Sequence, residues 1–263
     1  MRRLFHRPFF CIDGKVRDSL ILQEEDRFAE IAPLPSWSRE TFSEAYQEAI
    51  CLLDEKDPQP TLPSVRFAFD SLKKPMPKHL DLPLNAFNHL RSGFDALKLK
   101  VGHLDLNQAK TLVKQAPKVL LRLDFNRKWP LEKLLAFASY FQPSDFDYFE
   151  EPGTTLAETI LFSQKTAFPI ALDESIPEAD FTKIPTLKAL VVKPTLLGKV
   201  PIAPPGVELI FSLAYESEIG LMRIAELATK YNPFRPHGLD FTSYLAKPKM
   251  IQIEQGRLKC AVR

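Results

Sequence analysis

Six side chains capable of acid–base or metal chemistry recur along the middle of the chain. Each lies in or directly after a short apolar segment that could form one strand, and successive segments are about 20 to 26 residues apart. The acidic residues are Asp124, Glu150 and Asp173, and the basic residues are Lys98, Lys100 and Lys193. Carboxylate oxygens without neighbouring thiols or imidazoles suit Mg²⁺, and a lysine in a partly desolvated site can act as a general base. The spacing therefore predicts a metal-assisted proton-transfer site.

The same residues also have structural interpretations. A carboxylate at the end of a strand can cap the helix that follows, and this is the alternative for the three acids. Lys98 and Lys100 lie two positions apart, so a strand points both to one face. Facing outward they would be ordinary solvated lysines, whereas facing inward, like charges and desolvation would lower their pKa toward that of a general base. Three acids on consecutive strand ends, with lysines before and after them, favour the functional interpretation.

Four further residues are weaker candidates for substrate binding: Arg122, Asn126, Ser212 and Gly238. Arg122 could bind a carboxylate or support the metal ligands, and a structural salt bridge is an equal alternative. Asn126 could hydrogen-bond substrate or simply form a turn. Ser212 ends an apolar segment, and the backbone at Gly238 could closely approach an anion. Glu151 is predicted to support the neighbouring acid or to cap a helix.

Strands and helices alternate where these residues must be positioned. Helical patterns at Leu106–Lys114, at 130–141 and at Leu156–Lys165 fill the gaps between the first strands. Such alternation predicts a parallel sheet, and in a closed β/α barrel the carboxyl ends of the strands converge on one mouth. After Lys193 the expected helix is missing, because residues 197–207 contain three prolines and two glycines.

The two ends of the chain have a different, antiparallel pattern. Residues 16–32 predict a hairpin, and residues 73–83, which include three prolines, predict a linker. Ser38 is a candidate N-cap for a helix that continues to about residue 53, and a second helix is predicted over 64–72. Residues 251–259 predict a C-terminal hairpin that packs on the first domain.

Composition excludes several classes of function. Hydrophobic residues make up 45% of the chain, charged residues 26%, and the net charge is +2, so a nucleic-acid partner is not indicated. No apolar run approaches the roughly 18 residues of a membrane span. Three widely spaced cysteines predict buried reduced thiols and a cytoplasmic location, rather than a disulfide framework or a zinc site. His103 and His237 lack metal-ligand spacing and are predicted to lie at the surface or in loops.

Several motifs together resemble the enolase superfamily, and within it the o-succinylbenzoate synthase family of menaquinone biosynthesis. They are Lys98-Leu-Lys100, Arg122-Leu-Asp124, Glu150-Glu-Pro152, Asp173-Glu-Ser175 and Lys193-Pro-Thr-Leu-Leu-Gly198. The resemblance extends to residues 30–35, to Glu216-Ser217 and to Gly238-Leu-Asp240, and so spans most of the chain.

The resemblance implies an α/β fold: a modified (β/α)7β TIM-like barrel, with one barrel helix lost after Lys193, plus an α+β capping domain. The expected division is a capping domain at residues 1–84, a barrel with the catalytic residues at 85–248, and a hairpin at 249–263 that returns to the capping domain. Segments around Lys15 to Arg17 and at 33–37 would close over the substrate.

The resemblance also implies the chemistry. Mg²⁺, with Mn²⁺ as an alternative ion, would bind the substrate carboxylate and three acids, namely Asp124, Glu150 and Asp173. Lys100 would remove the proton α to that carboxylate and then act as the acid that expels hydroxide as water. The metal and Lys98 would stabilise the enediolate, and Lys193 would be a cation on its opposite face. The substrate would be 2-succinyl-6-hydroxy-2,4-cyclohexadiene-1-carboxylate, dehydrated to o-succinylbenzoate.

Two other functions stay open. An N-acylamino acid racemase or dipeptide epimerase of the same superfamily would use Lys100 and Lys193 to exchange the α-proton, so the two lysines do not separate it from a dehydratase. The resemblance at 33–35 and 122–124 favours dehydration. A non-catalytic barrel that only binds a ligand is the third possibility. The expected partner is a small carboxylate, with no nucleic acid and no membrane; the oligomeric state is open, and a monomer is compatible with the sequence.

Overall fold

The computed structural model describes residues 1–261, which form two compact units. Unit 1 comprises Met1–Pro83, Val192–Pro201 and residues 211–261. Unit 2 comprises Leu84–Val191 and Ile202–Ile210. The boundaries between these units near residues 192, 202 and 211 were not predicted from the sequence. The division into residues 1–84, 85–248 and 249–263 stays a prediction, and residues 262 and 263 of the last segment lie outside the described residues.

Unit 1 begins with antiparallel strands. They are β1 (Arg2–His6), β2 (Phe9–Phe10), β3 (Val16–Arg17), β4 (Leu20–Glu24) and β5 (Arg27–Ile31). Strand β4 lies between β1 and β5, and β2 pairs with β3. Alternate residues of β4 and β5, such as Leu22 and Ala29, are fully buried in a core that includes the helices described next. The predicted hairpin is confirmed for residues 20–31, whereas residues 16 and 17 belong to β3, which pairs with β2.

Two helices pack on this sheet: α1 (Phe42–Leu52) and α2 (Pro63–Leu72). The prediction that Ser38 caps the first helix is wrong. Thr41 is the N-cap, because its hydroxyl accepts from the Glu44 N–H at 3.2 Å while the Glu44 carboxylate accepts from the Thr41 N–H at 2.7 Å. Ser38 instead accepts a hydrogen bond from the Leu34 N–H. The predicted linker contains a short strand, β6 (Asp81–Pro83).

Unit 2 holds the predicted alternation of strands and helices. Its strands are β7 (Ala86–Phe87), β8 (Ala96–Lys100), β9 (Leu120–Asp124), β10 (Tyr148–Glu150), β11 (Ile170–Leu172), β12 (Leu187–Val192) and β13 (Glu208–Phe211), of which β12 and β13 each end one residue inside unit 1. Its helices are α3 (Leu106–Lys114), α4 (Leu131–Ala138) and α5 (Leu156–Lys165). Among the described residues these strands form one sheet in chain order, and β7 to β12 pair in parallel. Short 3₁₀ turns occupy Pro143–Asp145 and Phe181–Lys183.

The two faces of this sheet have different side chains. One face carries a buried cluster of mainly small and aliphatic residues, which are Tyr148, Ala171, Ala189, Val191 and Ile210. Phe149, one position along β10, joins a cluster of aromatic rings that includes Phe146, Phe162 and Phe168. Alternation along β10 therefore separates the aromatic packing from the face that carries Glu150.

A complete helix between β12 and β13 is lost, as predicted. The described residues there form only one helical turn, α6 (Pro194–Leu197). Gly198 ends it with a left-handed φ of 72°, and a Cβ on Gly198 would lie 2.8 Å from Pro63 Cα. Only glycine fits both the conformation and the space.

The C-terminal part of unit 1 contains α7 (Glu218–Tyr231) and the hairpin of β14 (Ile251–Glu254) and β15 (Arg257–Cys260). Strand β15 pairs with β6, and Arg257 Nε bonds Asp81 Oδ1 at 2.5 Å, so the predicted hairpin is confirmed within the described residues. All three cysteines are free, although Cys51 is exposed and the other two are half-buried, rather than buried as predicted.

Candidate active site

The candidate catalytic side chains of unit 2 lie on one face of its parallel sheet. Strand register pairs Lys100 of β8 with Asp124 of β9, and Asp124 with Glu150 of β10. Lys98 lies two positions before Lys100, so it points the same way. Residues that are far apart in sequence therefore meet at the carboxyl ends of neighbouring strands.

Lys98 is the centre of this group. Its Nζ lies 2.9 Å from Asp124 Oδ2 and 2.7 Å from Glu150 Oε1, and only 14% of its side chain is exposed. Burial disfavours the charged form of Lys98, but neighbouring carboxylates outweigh this and raise its pKa well above the usual value for lysine. These carboxylates are Asp124, Glu150 and Asp173. The prediction of a lowered lysine pKa is therefore wrong for Lys98, because acids surround it more closely than other cations do.

The Asp124 carboxylate is held from two sides. Burial raises its pKa, but the charges of Lys98 and Lys100 and a hydrogen bond from the Asn126 N–H bring it below the ordinary value. This Asn126 N–H lies 3.0 Å from Asp124 Oδ1, and Asn126 has a left-handed φ of 47°. The turn interpretation of Asn126 is thus confirmed, and its contact with substrate stays a prediction.

Glu151 positions the loop that carries Asp173. Its Oε1 accepts from the Asp173 N–H at 2.8 Å and from the Ser175 N–H at 2.9 Å, and its Oε2 accepts from the Ser175 hydroxyl. Glu151 is 1% exposed and has a φ of 43°, which turns its side chain away from the direction taken by Glu150. Glu151 therefore supports the segment that carries Asp173, whereas the prediction named the neighbouring acid Glu150.

The chemistry of the three acids fits a hard divalent cation, but their positions are not yet those of a metal site. The three acids are buried and supply only oxygen ligands, which is the chemistry that Mg²⁺ prefers. Within residues 1–261, however, no three His, Cys, Asp or Glu side chains are grouped closely enough to hold a metal ion as they stand. Here the Lys98 ammonium lies between two of the carboxylates. A site formed by Asp124, Glu150 and Asp173 therefore stays a prediction.

Lys100 lies beside this group. Its backbone N–H donates to Asn88 Oδ1 at 3.1 Å, and its Nζ lies 5.7 Å from the centre of the Phe87 ring. Its charge is close enough to lower the pKa of Asp124. Lys100 is half-buried, so its amine is accessible to a ligand as a general base requires.

Arg122 forms a buried ion pair, which is the structural alternative left open by the sequence. It is fully buried, with Nε 2.8 Å from Asp147 Oδ2 and Nη1 3.0 Å from Asn85 Oδ1. Its guanidinium also lies 4.8 Å from the centre of the Tyr148 ring. Asp147 was not among the residues predicted from the sequence, although it is an acid inside the apolar segment that contains Tyr148.

The remaining candidates belong to unit 1. Lys193 directly follows β12, and its Nζ lies 5.4 Å from the centre of the Trp37 ring. The Ser212 hydroxyl donates to the Gly238 carbonyl at 3.3 Å, and the Gly238 N–H donates to the Phe211 carbonyl at 2.9 Å. The roles of Lys193, Ser212 and Gly238 in catalysis or binding stay predictions.

His237 is not at the surface. It is fully buried in unit 1, where its Nδ1 accepts from the Phe211 N–H at 2.9 Å and its Nε2 lies 2.8 Å from the Asn232 carbonyl oxygen. The prediction that His237 is exposed is therefore wrong. Its buried ring links the end of β13 to the turn after α7.

Comparison with known proteins identifies the family. A family model described as enolase C-terminal domain-like matches residues 85–183. An o-succinylbenzoate synthase from Pasteurella multocida is 31% identical over 86% of this chain and 82% of its own length. One from Yersinia enterocolitica is 35% identical over 88% of this chain and 84% of its own length. The chain belongs to the o-succinylbenzoate synthase family of the enolase superfamily. It is therefore an enzyme of that superfamily.

Solved structures agree on the fold. An o-succinylbenzoate synthase from Thermosynechococcus elongatus, complexed with Mg in its active site, matches with a TM-score of 0.71 and 21% identity over 94% of both chains. A dipeptide epimerase from Enterococcus faecalis matches with a TM-score of 0.73 and 16% identity over 98% of this chain and 95% of its own. The predicted α/β fold, a modified TIM-like barrel with an α+β capping domain, is confirmed. None of the helices in residues 1–261 combines the length and apolar character needed to span a bilayer.

Proposed function

We propose that the chain is an o-succinylbenzoate synthase of menaquinone biosynthesis, acting in the cytoplasm on a small carboxylate. The reaction is dehydration of 2-succinyl-6-hydroxy-2,4-cyclohexadiene-1-carboxylate to o-succinylbenzoate. The observation that carries the proposal is the 31% and 35% identity, over most of the chain, to two relatives of that name. The site supports it, because a lysine and a carboxylate lie next to each other on neighbouring strands at Lys100 and Asp124.

We assign metal binding to three acids of unit 2, which are Asp124, Glu150 and Asp173. Mg²⁺ bound there, or Mn²⁺ in its place, would neutralise the substrate carboxylate and the negative charge that builds up when the α-proton leaves. The fit rests on an all-oxygen donor set whose acids are each at most 7% exposed. Metal binding would require movement of the Lys98 ammonium, which contacts two of these carboxylates.

The lysines carry the proton transfer in this proposal. Lys100 accepts the proton from the carbon α to the substrate carboxylate, and then returns a proton to the departing hydroxyl, which leaves as water. Lys98 stays protonated and places a positive charge beside the developing oxyanion. Lys193 is assigned as a second cation that stabilises the same intermediate.

Four residues are proposed to bind substrate: Arg122, Asn126, Ser212 and Gly238. Arg122 would act through its charge and by fixing β9, since its guanidinium already bonds Asp147 and Asn85. The Ser212 hydroxyl could exchange its long bond to the Gly238 carbonyl for one to the succinyl group, since that bond is 3.3 Å.

The alternative is an N-acylamino acid racemase or dipeptide epimerase. The observation that favours it is the match to the Enterococcus faecalis dipeptide epimerase fold, with a TM-score of 0.73. That likeness is at 16% identity, well below the identity to the named synthases. A non-catalytic binding barrel is the remaining alternative, and the retained Lys98, Lys100 and acids argue against it.

The deciding experiment incubates the protein with the cyclohexadiene substrate and Mg²⁺ and follows formation of the aromatic product by ultraviolet absorbance. In parallel, N-succinyl amino acids are incubated in D₂O and α-proton exchange is followed by NMR. Aromatic product formed faster than exchange supports the dehydratase. Exchange without aromatic product would replace the proposal with the racemase, and the absence of both would favour the binding barrel.

A further inference from the structure

Trp37 is presented by a tightly closed turn in unit 1. The Leu34 N–H donates to the Ser38 hydroxyl at 2.8 Å, and the Ser38 N–H donates back to the Leu34 carbonyl at 2.8 Å. Ser36, inside the turn, has a left-handed φ of 68°. The Trp37 N–H also donates to the Leu34 carbonyl at 3.0 Å. The turn therefore fixes the backbone direction from which the indole extends.

The indole itself is not held by core packing. Trp37 is 52% exposed, so about half of its surface has no protein contact. Among the described residues, the contact seen at the Trp37 ring is with Lys193, whose ammonium lies 5.4 Å from the ring centre. A cation at this distance from an indole face is attracted by the negative charge of the π system.

Lys193 is anchored on its backbone side. Its carbonyl accepts from the Leu196 and Leu197 N–H groups at 3.0 and 3.1 Å, and it is the N-cap of α6. The turn is also tied to the segment before α7, because the Thr195 hydroxyl donates to Glu216 Oε1 at 2.7 Å. The backbone of Lys193 is thus fixed, and the indole adds a contact at the far end of a side chain with several rotatable bonds.

We propose that Trp37 is a positioning residue for Lys193, holding its ammonium against the indole face in the one orientation that catalysis uses. This inference rests on the proposed function for the role of Lys193 in catalysis, but the contact itself does not. Trp37 would act through Lys193 and would not itself contact the reacting atoms.

The contact is tested first without substrate, by fluorescence. The chain has two tryptophans, so the Trp37 signal is the difference between the protein and its Trp37→Phe variant, which retains only Trp129. A nearby ammonium quenches an excited indole by proton transfer. Lys193→Met should therefore raise the Trp37 emission, while Lys199→Met, a matched change at an exposed lysine, should not. Equal emission in the two variants would overturn the contact.

Lys193→Arg guards against misfolding of the methionine variant. Arginine keeps a cation and stacks on aromatic rings, so the accessibility of Trp37 to acrylamide, a neutral quencher, should match that of the unchanged protein, whereas Lys193→Met should make Trp37 more accessible. Circular dichroism confirms folding of each variant. Acrylamide accessibility that is the same in all three proteins would also contradict the proposal.

Kinetics then test whether the contact matters for the reaction. Trp37→Phe keeps an aromatic face and should retain kcat, while Trp37→Leu should lower kcat by about 2- to 5-fold with KM nearly unchanged. Tyr46→Leu, which removes an exposed aromatic ring from α1, is the control and should leave both constants unchanged. A rise in KM with constant kcat would show that Trp37 binds substrate instead, which overturns the positioning role. Absence of dehydratase activity alongside the fluorescence change would refute the proposed function and leave the contact intact.

Discussion

Lys98 is a cation held between buried acids, so its substitution should lower the free energy of unfolding as well as the catalytic rate. Lys98→Met leaves the Asp124 and Glu150 carboxylates side by side without their shared ammonium. Breaking a buried ion pair in this way typically costs about 3–5 kcal/mol. We expect urea denaturation to show a loss of that order in metal-free buffer, and Mg²⁺ to restore more stability to the variant than to the unchanged protein.

Lys118→Met is the matched control, since Lys118 is exposed and its loss should change stability by at most about 0.5 kcal/mol. Equal losses in the two variants would mean that the ion pairs of Lys98 contribute nothing to folding.

Lys100 should be indispensable to turnover and dispensable to the fold. General base catalysis typically contributes about 10²- to 10⁴-fold, so Lys100→Ala should lower kcat at least by that factor. Because Lys100 is half-buried and lies beside the ion pair of Lys98 and Asp124, the denaturation midpoint should change little. Turnover that survives the substitution undiminished would remove Lys100 from the mechanism.

At the scale of elements, strand β5 and helix α7 meet at a buried acid. Glu30 is 2% exposed, and its Oε2 accepts from the Ser217 N–H, at the N-cap of α7, at 2.9 Å. Burial and the charge of Glu216 raise the pKa of Glu30 to about 7. Hydrogen bonds from Ser217 and Ser19 and the charge of Arg17 lower this pKa, but by less than burial and Glu216 raise it. The folded chain therefore binds a proton that the unfolded chain releases near pH 4.5.

The sign of the pH dependence follows. The contribution of Glu30 to stability is complete below about pH 4.5 and is lost as the pH rises through 7, by an amount on the order of 3 kcal/mol. Glu30→Gln, which can still accept from Ser217, should be more stable than the unchanged protein at pH 9 and nearly equal to it at pH 5. Urea midpoints at the two pH values check this, and a difference that is independent of pH would contradict it.

The connection after β8 tolerates no side chain at Gly102. A Cβ there would lie 2.0 Å from the Phe125 carbonyl oxygen, and the Val101 and Gly102 N–H groups both donate to the Asp124 carbonyl. Gly102→Ala should therefore destabilise by about 1–3 kcal/mol and lower kcat, because the backbone of a proposed metal ligand must shift.

Gly206→Ala is the control for this prediction. Gly206 has a φ of 81° with no atoms within 4 Å of its added Cβ, so the substitution strains the backbone without crowding the site. It should lose stability but keep kcat. If both variants keep kcat, a shift of the Asp124 backbone does not affect catalysis, which would contradict the prediction.

For the molecule as a whole, metal removal is the simplest test of the proposed chemistry. Dialysis against a chelator should abolish turnover, and added Mg²⁺ should restore it, because the three acids would lose the cation that stabilises the intermediate. The measurement is kcat before chelation, after chelation and after Mg²⁺ is added back. Full activity in the chelated protein would exclude the metal from the reaction.

Much of the fold could be predicted because local signals were strong. Apolar spacing located α3 and α5 at their observed bounds, and prolines and glycines after Lys193 predicted the lost helix. The cap of α1 was misplaced because two hydroxyl residues, Ser38 and Thr41, precede the same helix. The reciprocal partner Glu44, three residues after Thr41, decides between them.

The site was predictable in its residues but less so in their partners. Spacing alone indicated that Asp124 and Glu150 end neighbouring strands. Their closeness to Lys98, and therefore the direction of its pKa, depended on strand register, which spacing does not determine. Asp147 as the partner of Arg122 was hidden for the same reason, since it precedes the strand β10 and faces β9 only in the folded sheet.

The segmented make-up of unit 1 has a consequence for protein synthesis. Its strand β6 pairs with β15, which leaves the ribosome only after the whole of unit 2 has been synthesised. Unit 2 is complete once residue 210 has emerged. A nascent chain stalled shortly after that point should therefore already resist protease across the parallel sheet while its first eighty or so residues are still digested.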